Sequence, residues 1–171
     1  MSSKKLQQKK LLEVLKFIIF FNLLAIPMYL VLYFNLSFDP LRDFLAFLTT
    51  KFLSMLGINA AQENLFVDVL ANNQLLKIDI SFDSTGWKTL YCLFALAIAT
   101  PKRKIKNKLK FLAVGLPVLF ILNFLRIATT ILVAVIFGFK YFEVVHIFLW
   151  REGLIAAVVI IWYLWLRQEV K

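Results

Sequence analysis

Apolar and polar positions along this chain fall into long blocks instead of a short alternation. Residues 17–34 form an apolar run that accommodates Asn22 and Pro27. It is just long enough to cross a bilayer, since a span needs about 20 residues and at least about 17. Residues 41–57 mix Phe44, Phe47, Phe52 and Leu53 with Arg42, Asp43 and Lys51, a pattern that predicts an amphipathic helix lying at the interface. The only substantial polar stretch is 58–83, where residues 65–70 and 75–80 flank the turn pair Asn72–Asn73 and predict a small β-hairpin. A hairpin this short leans on neighbouring helices for stability. Residues 84–100 predict a short span whose apolar part, 86–100, is about 22 Å long as a helix, apolar apart from Lys88 near its outer end. Residues 111–137 and 147–166 predict two further spans.

The charges orient these blocks. Lys4, Lys5, Lys9, Lys10 and Lys16 precede the first span, and residues 101–110 carry six cations in ten positions. The positive-inside rule puts both clusters in the cytoplasm, so an even number of crossings separates them. The amphipathic segment carries too many charges to cross, which makes 84–100 the return crossing. Span 111–137 then runs outward, and 147–166 comes back in ahead of Arg167 and Lys171. The expectation is an all-α polytopic membrane protein, one domain over residues 1–171, with about four transmembrane helices. Both termini and the 101–110 loop are cytoplasmic; 35–83 lies outside. The first span reads as retained, being too lysine-dense for a secretory leader and lacking a small-residue cleavage site.

Composition sharpens this picture. Hydrophobic residues make up 61% and aromatic residues 16% of 171 positions, more apolar surface than a soluble domain of this size buries. The net charge of +10 sits in lysines beside the apolar blocks and forms no stripe of its own, which indicates membrane lipids as partners and no nucleic acid. One cysteine, Cys92, and one histidine, His146, exclude an internal disulfide and leave little for a metal, so no cofactor is expected. Asn35–Leu36–Ser37 fits a glycosylation acceptor, a match that is common by chance.

Arg126 is the most informative residue. It is the only charged side chain in 111–137, where Asn123, Thr129 and Thr130 are the other polar positions. A guanidinium stays protonated, so at bilayer depth it needs a polar cavity or a partner. Asn123 at i−3 and Thr130 at i+4 share its helix face. Arg126 lies about 24 Å along the helix from Lys110, in the outer half of a core about 30 Å thick. Asp83–Ser84–Thr85–Gly86 sits at the outer mouth of the second span, and His146 opens the fourth, with Trp150 and Gly153 on its face. A hydroxyl, a cation and an imidazole thus reach one level from three helices. Each also has a plain reading: a helix cap for Ser84–Thr85–Gly86, an interfacial residue for His146, and a clasp to Asp83 or to carbonyls for Arg126.

These blocks, Ser84–Thr85–Gly86, then Asn123–Phe124–Leu125–Arg126–Ile127, then His146, resemble the exosortase/archaeosortase family of polytopic membrane transpeptidases. The resemblance covers roughly residues 81–153, including the basic loop between the second and third spans. It implies substrates that are membrane-anchored proteins ending in a short motif, an apolar helix and a basic cluster, with a lipid amine as one acceptor. It also implies catalytic roles for Ser84, Arg126 and His146, and a substrate-binding surface of Asp83, Thr85, Gly86 and Asn123. The family has a nucleophilic cysteine where this chain has Ser84. Cys92 does not replace it, lying eight residues on and about 12 Å deeper.

A serine hydroxyl needs a base to take its proton during attack, and His146 is the imidazole present. Arg126 suits a developing oxyanion in a water-poor site. Asp83 could orient His146 or balance Arg126. Three functions stay open: a sortase-like peptidase acting at the extracytoplasmic face, a non-catalytic relative that holds sorting tails, and a small transporter or assembly subunit whose Arg126 binds an anionic group.

Overall fold

The computed structural model describes residues 3–71, 74–138, 141 and 152–168. In chain order the elements are α1 (Ser3–Tyr33), α2 (Asp39–Met55), β1 (Ala60–Glu63), β2 (Phe66–Ala71), β3 (Gln74–Asp79), a 3₁₀ turn (Phe82–Thr85), α3 (Trp87–Ala99), α4 (Ile105–Phe137) and α5 (Glu152–Gln168). Two of the described helices, Lys4–Tyr33 and Ile105–Phe137, are long and apolar enough to cross a membrane; Trp87–Ala99 is a shorter apolar helix. The segment that opens the expected fourth span, including His146, falls outside the described residues.

Both long helices overrun the apolar blocks that announce them. α1 starts at Ser3 and carries its lysines in helical conformation, and α4 starts at Ile105, so most of the expected 101–110 loop is helix. Lysine is a good helix former, and hydropathy reports the membrane-embedded part of a helix, not its ends. Lys108 Nζ donates to the carbonyl of Ile98 at 2.5 Å, which ties the start of α4 to α3.

α3, α4 and α5 pack through Leu93, Leu119 and Val158, with Ala97, Leu112 and Trp165 continuing the contact inward along the bundle. Phe111 stacks on Trp165 at 4.3 Å. α1 lies against α3, where Tyr91 Oη donates to Leu24 O at 2.7 Å, while most of its apolar side chains remain exposed on the outside of the bundle.

The polar stretch forms a three-stranded antiparallel sheet, β1-β2-β3, not the expected two-stranded hairpin. The predicted pairing is present: Val67 faces Ile78, Val69 faces Leu76 and Ala71 faces Gln74. The turn pair Asn72–Asn73 lies outside the described residues. β1, Ala60–Glu63, pairs with β2; a four-residue strand reading Ala-Ala-Gln-Glu has neither β-branched residues nor a hydrophobic alternation to announce it. Val67 and Val69 are fully buried against Leu45, Ala46 and Leu53 of α2 and Ile127 and Ile131 of α4.

α2 is the expected amphipathic helix, started by Pro40 in its first turn and followed by Gly57 with φ +79°. Its buried face, Leu45, Ala46, Thr49 and Leu53, follows helical spacing. It leans on α4 through Phe44–Phe120 and Phe52–Phe124. Its charges at Arg42 and Asp43 turn toward the sheet: Asp43 Oδ1 accepts from Gln62 Nε2 at 2.7 Å, and Arg42 binds the end of β3.

Candidate active site

β3 delivers the chain into the 3₁₀ turn that carries Ser84. Ser81 caps this turn: its Oγ accepts the Ser84 N–H at 3.2 Å, alongside the backbone bond from Ser84 N–H to Ser81 O at 3.0 Å. The two hydroxyls, Ser81 Oγ and Ser84 Oγ, are 2.8 Å apart. Thr85 is fully buried and its hydroxyl donates to Phe82 O at 2.7 Å, so this side chain closes the turn. Gly86 ends the turn at φ +75° and starts α3. A Cβ there would lie 2.6 Å from Asn123 Cγ, so both the backbone conformation and the space require glycine.

This close approach lets α4 reach the turn. Asn123, 1% exposed, donates from Nδ2 to Ser84 O at 3.0 Å, and its Oδ1 lies 3.4 Å from Arg126 Nη1. One amide therefore bridges the backbone of Ser84 to the guanidinium of Arg126. Thr130, predicted on the same face, gives its hydroxyl to Arg126 O at 2.7 Å. Ser84, Arg126 and Thr130 line one cavity with Ile78, Asp79, Ile80, Ile127 and Ile131, of about 30 Å³. That volume holds about one water.

Of the expected site residues, the fold brings Ser84, Asn123 and Arg126 together. Thr85 and Gly86 shape the turn from within, and Asp83 points outward to Lys88 Nζ at 2.8 Å. Cys92 lies lower on α3, packed against the Leu93–Leu119–Val158 cluster. His146 lies outside the described residues.

Three residues join the site that sequence reading did not assign to it. Ser81 touches the Ser84 hydroxyl, and Asp79 lines the cavity. Arg42 braces the turn from α2, donating Nε to Ile80 O at 2.8 Å, Nη2 to Asp79 Oδ1 at 3.0 Å and Nη1 to Asp39 Oδ1 at 3.0 Å. The three-residue spacing of Ser81 and Ser84 was the available signal for the first, since Ser is a favoured cap three residues ahead of the group it holds. Nothing local links Arg42 to a strand end nearly forty positions later.

Chemically, the site offers a hydroxyl on a capped turn, a largely buried cation beside a small, half-open cavity, and an amide that ties one to the other. A family model described as transmembrane exosortase matches residues 6–166. Neither a curated protein nor a solved structure matches the chain.

Proposed function

The chain belongs to the transmembrane exosortase family, and from that premise we propose that it is a sortase-like transpeptidase of the cell membrane with Ser84 as nucleophile. The observation that carries this reading is the Asn123 bridge, 3.0 Å to Ser84 O and 3.4 Å to Arg126. It ties the Ser84 turn to α4 beside one cavity, which supports Ser84 as nucleophile and Arg126 as the oxyanion-stabilising cation. As a membrane peptidase the chain is an enzyme by family; the serine is its own departure.

In the proposed reaction Ser84 Oγ attacks the carbonyl carbon of a peptide bond in a membrane-anchored substrate. The O–C bond forms as the Ser84 proton passes to His146, and Arg126 stabilises the oxyanion. The C–N bond then breaks, and His146 returns the proton to the leaving nitrogen. An amine, a lipid amine being one candidate, or water resolves the acyl-enzyme. Substrates would end in a short motif, an apolar helix and a basic cluster. The corresponding topology is one membrane domain over residues 1–171 with spans at 17–34, 84–100, 111–137 and 147–166. It places both termini and residues 101–110 in the cytoplasm and 35–83 with the site outside.

The test is processing of a co-expressed membrane reporter carrying such a tail from the same genome. Ser84→Ala is expected to abolish processing while the protein stays folded in the membrane, and Ser84→Cys to retain or raise it, because a thiol ionises more readily than a hydroxyl. Full processing by Ser84→Ala would remove the catalytic assignment. No processing by the chain itself, with gain in Ser84→Cys, would identify a tail-binding relative instead; the hydroxyl at position 84 is what favours that second reading.

A further inference from the structure

We infer that Ser81 is a second catalytic hydroxyl, which donates its proton to Ser84 Oγ and stabilises the negative charge that develops there during attack. The inference rests on Ser84 being the nucleophile and adds a group that this reading does not use.

The geometry admits the bond in either direction, and only one of the two favours attack. Ser81 Oγ is 2.8 Å from Ser84 Oγ, at the normal distance of an O–H···O bond. The same Ser81 oxygen already accepts the Ser84 N–H at 3.2 Å. With the Ser84 N–H on one lone pair, Ser81 Oγ keeps both its proton and a second lone pair, so either hydroxyl can donate at this distance. Ser81 sharing its proton with Ser84 Oγ leaves the Ser84 proton free to pass to a base and a Ser84 lone pair free for the substrate. The reverse direction would lock the Ser84 proton on Ser81 and oppose attack.

The local backbone holds this arrangement, with one brace from α2. Ser81 stands at the cap of the 3₁₀ turn with φ −59° and ψ 155°, and Arg42 fixes the preceding carbonyl, Ile80 O, at 2.8 Å. In this direction Ser81 is a donor held beside the atom where charge appears, the arrangement that makes such bonds effective in a water-poor site. As the Ser84 proton leaves, the Ser81 bond becomes charge-assisted, and bonds of this type are roughly twice as strong as neutral ones. The effect is specific to oxygen. A thiolate spreads its charge over a large, weakly accepting sulfur and forms readily without assistance. A chain that carries serine at the nucleophile position gains most from a neighbouring hydroxyl.

The experiment reads the reactivity of Ser84 directly, in the full-length protein in membranes, with a fluorophosphonate probe. Ser84 Oγ displaces fluoride at phosphorus, the O–P bond forms as the P–F bond breaks, and the Ser84 proton goes to the base. The chain is expected to label at Ser84, located by peptide mass, and Ser84→Ala to stay unlabelled. Ser81→Ala should label about 10- to 100-fold more slowly, the range of one charge-assisted hydrogen bond. Ser81→Thr keeps both the cap and the hydroxyl and should label near the parent rate. In Ser84→Cys, where iodoacetamide replaces the probe, Ser81→Ala should change the alkylation rate by less than about 3-fold.

An unchanged rate in Ser81→Ala, or an equal fall in alkylation when Ser81→Ala is placed on Ser84→Cys, would show that Ser81 is only a cap and overturn the inference, leaving Ser84 as nucleophile. Absence of labelling in the parent chain would overturn the nucleophile and, with it, the role of Ser81.

Discussion

Gly86 and Asn123 meet so closely that a methyl group on Gly86 would lie 2.6 Å from the Asn123 amide carbon. The contact joins the Ser84 turn to α4, and it exists only because Gly86 has no side chain and adopts φ +75°. Gly86→Ala should therefore lose in two ways. The left-handed conformation costs about 1–2 kcal/mol for a residue with a Cβ, and the methyl displaces Asn123 from Ser84 O. Thermal unfolding in detergent is expected to shift downward, together with loss of Ser84 labelling. Retention of both would mean that α3 and α4 have slack at this contact.

Asn123 is buried and bonded on both sides, so its truncation leaves polar groups behind. Asn123→Ala is expected to lower stability by about 1–3 kcal/mol, the desolvation cost of an abandoned buried group. It should also reduce processing more than stability alone explains, since Ser84 and Arg126 lose their common anchor. Equilibrium unfolding and the reporter assay on the same preparation separate the two effects.

Arg126→Lys keeps the charge and removes the planar fork. It is expected to lose processing by at least about 10-fold, because a flexible ammonium on a hydrated stem does not reproduce the guanidinium geometry. Protein abundance in the membrane should stay near that of the parent. Processing at the parent rate in Arg126→Lys would show that a cation alone suffices.

Arg42 binds one carbonyl and two carboxylates at once. Arg42→Lys cannot span all three, and hydrogen exchange at β3 and the Ser84 turn should rise while exchange in α3 and α4 stays unchanged. Even faster exchange throughout the protein would mark a global rather than a local brace.

The proposed topology is checked by cysteine labelling in a Cys92→Ser background. An impermeant reagent should reach Asn64→Cys from outside and reach Lys106→Cys only after permeabilisation. Outside access to Lys106→Cys would invert the map.

The blocks that place Ser84, Asn123 and Arg126 were legible in the sequence because a permanent cation in an apolar run is costly and has to be accommodated. The long helices were legible for the same reason, through hydropathy, although their ends were not: lysines outside the membrane continue a helix without changing the apolar signal. β1 was missed because Ala60–Glu63 becomes a strand through pairing with β2 and packing beside α2, not through its own propensity. Arg42 read as an interfacial charge on an amphipathic helix. Its assignment to the Ser84 turn depends on a long-range approach between α2 and β3 that no local pattern encodes.

Every polar group of Ser84 ends on a neighbour: its N–H on Ser81, its carbonyl on Asn123 and its hydroxyl beside Ser81 Oγ. In the proposed reaction, a Ser84 held this way has little orientational freedom to lose on the way to the transition state. The reorganisation that water around a free serine would undergo in each turnover is completed when the chain folds. The same rigidity assigns adaptation to the other reactant: a tail with a different backbone direction at the scissile bond cannot be met halfway by Ser84. Under the proposed function, discrimination among tails would follow from their own conformational cost of reaching a fixed point.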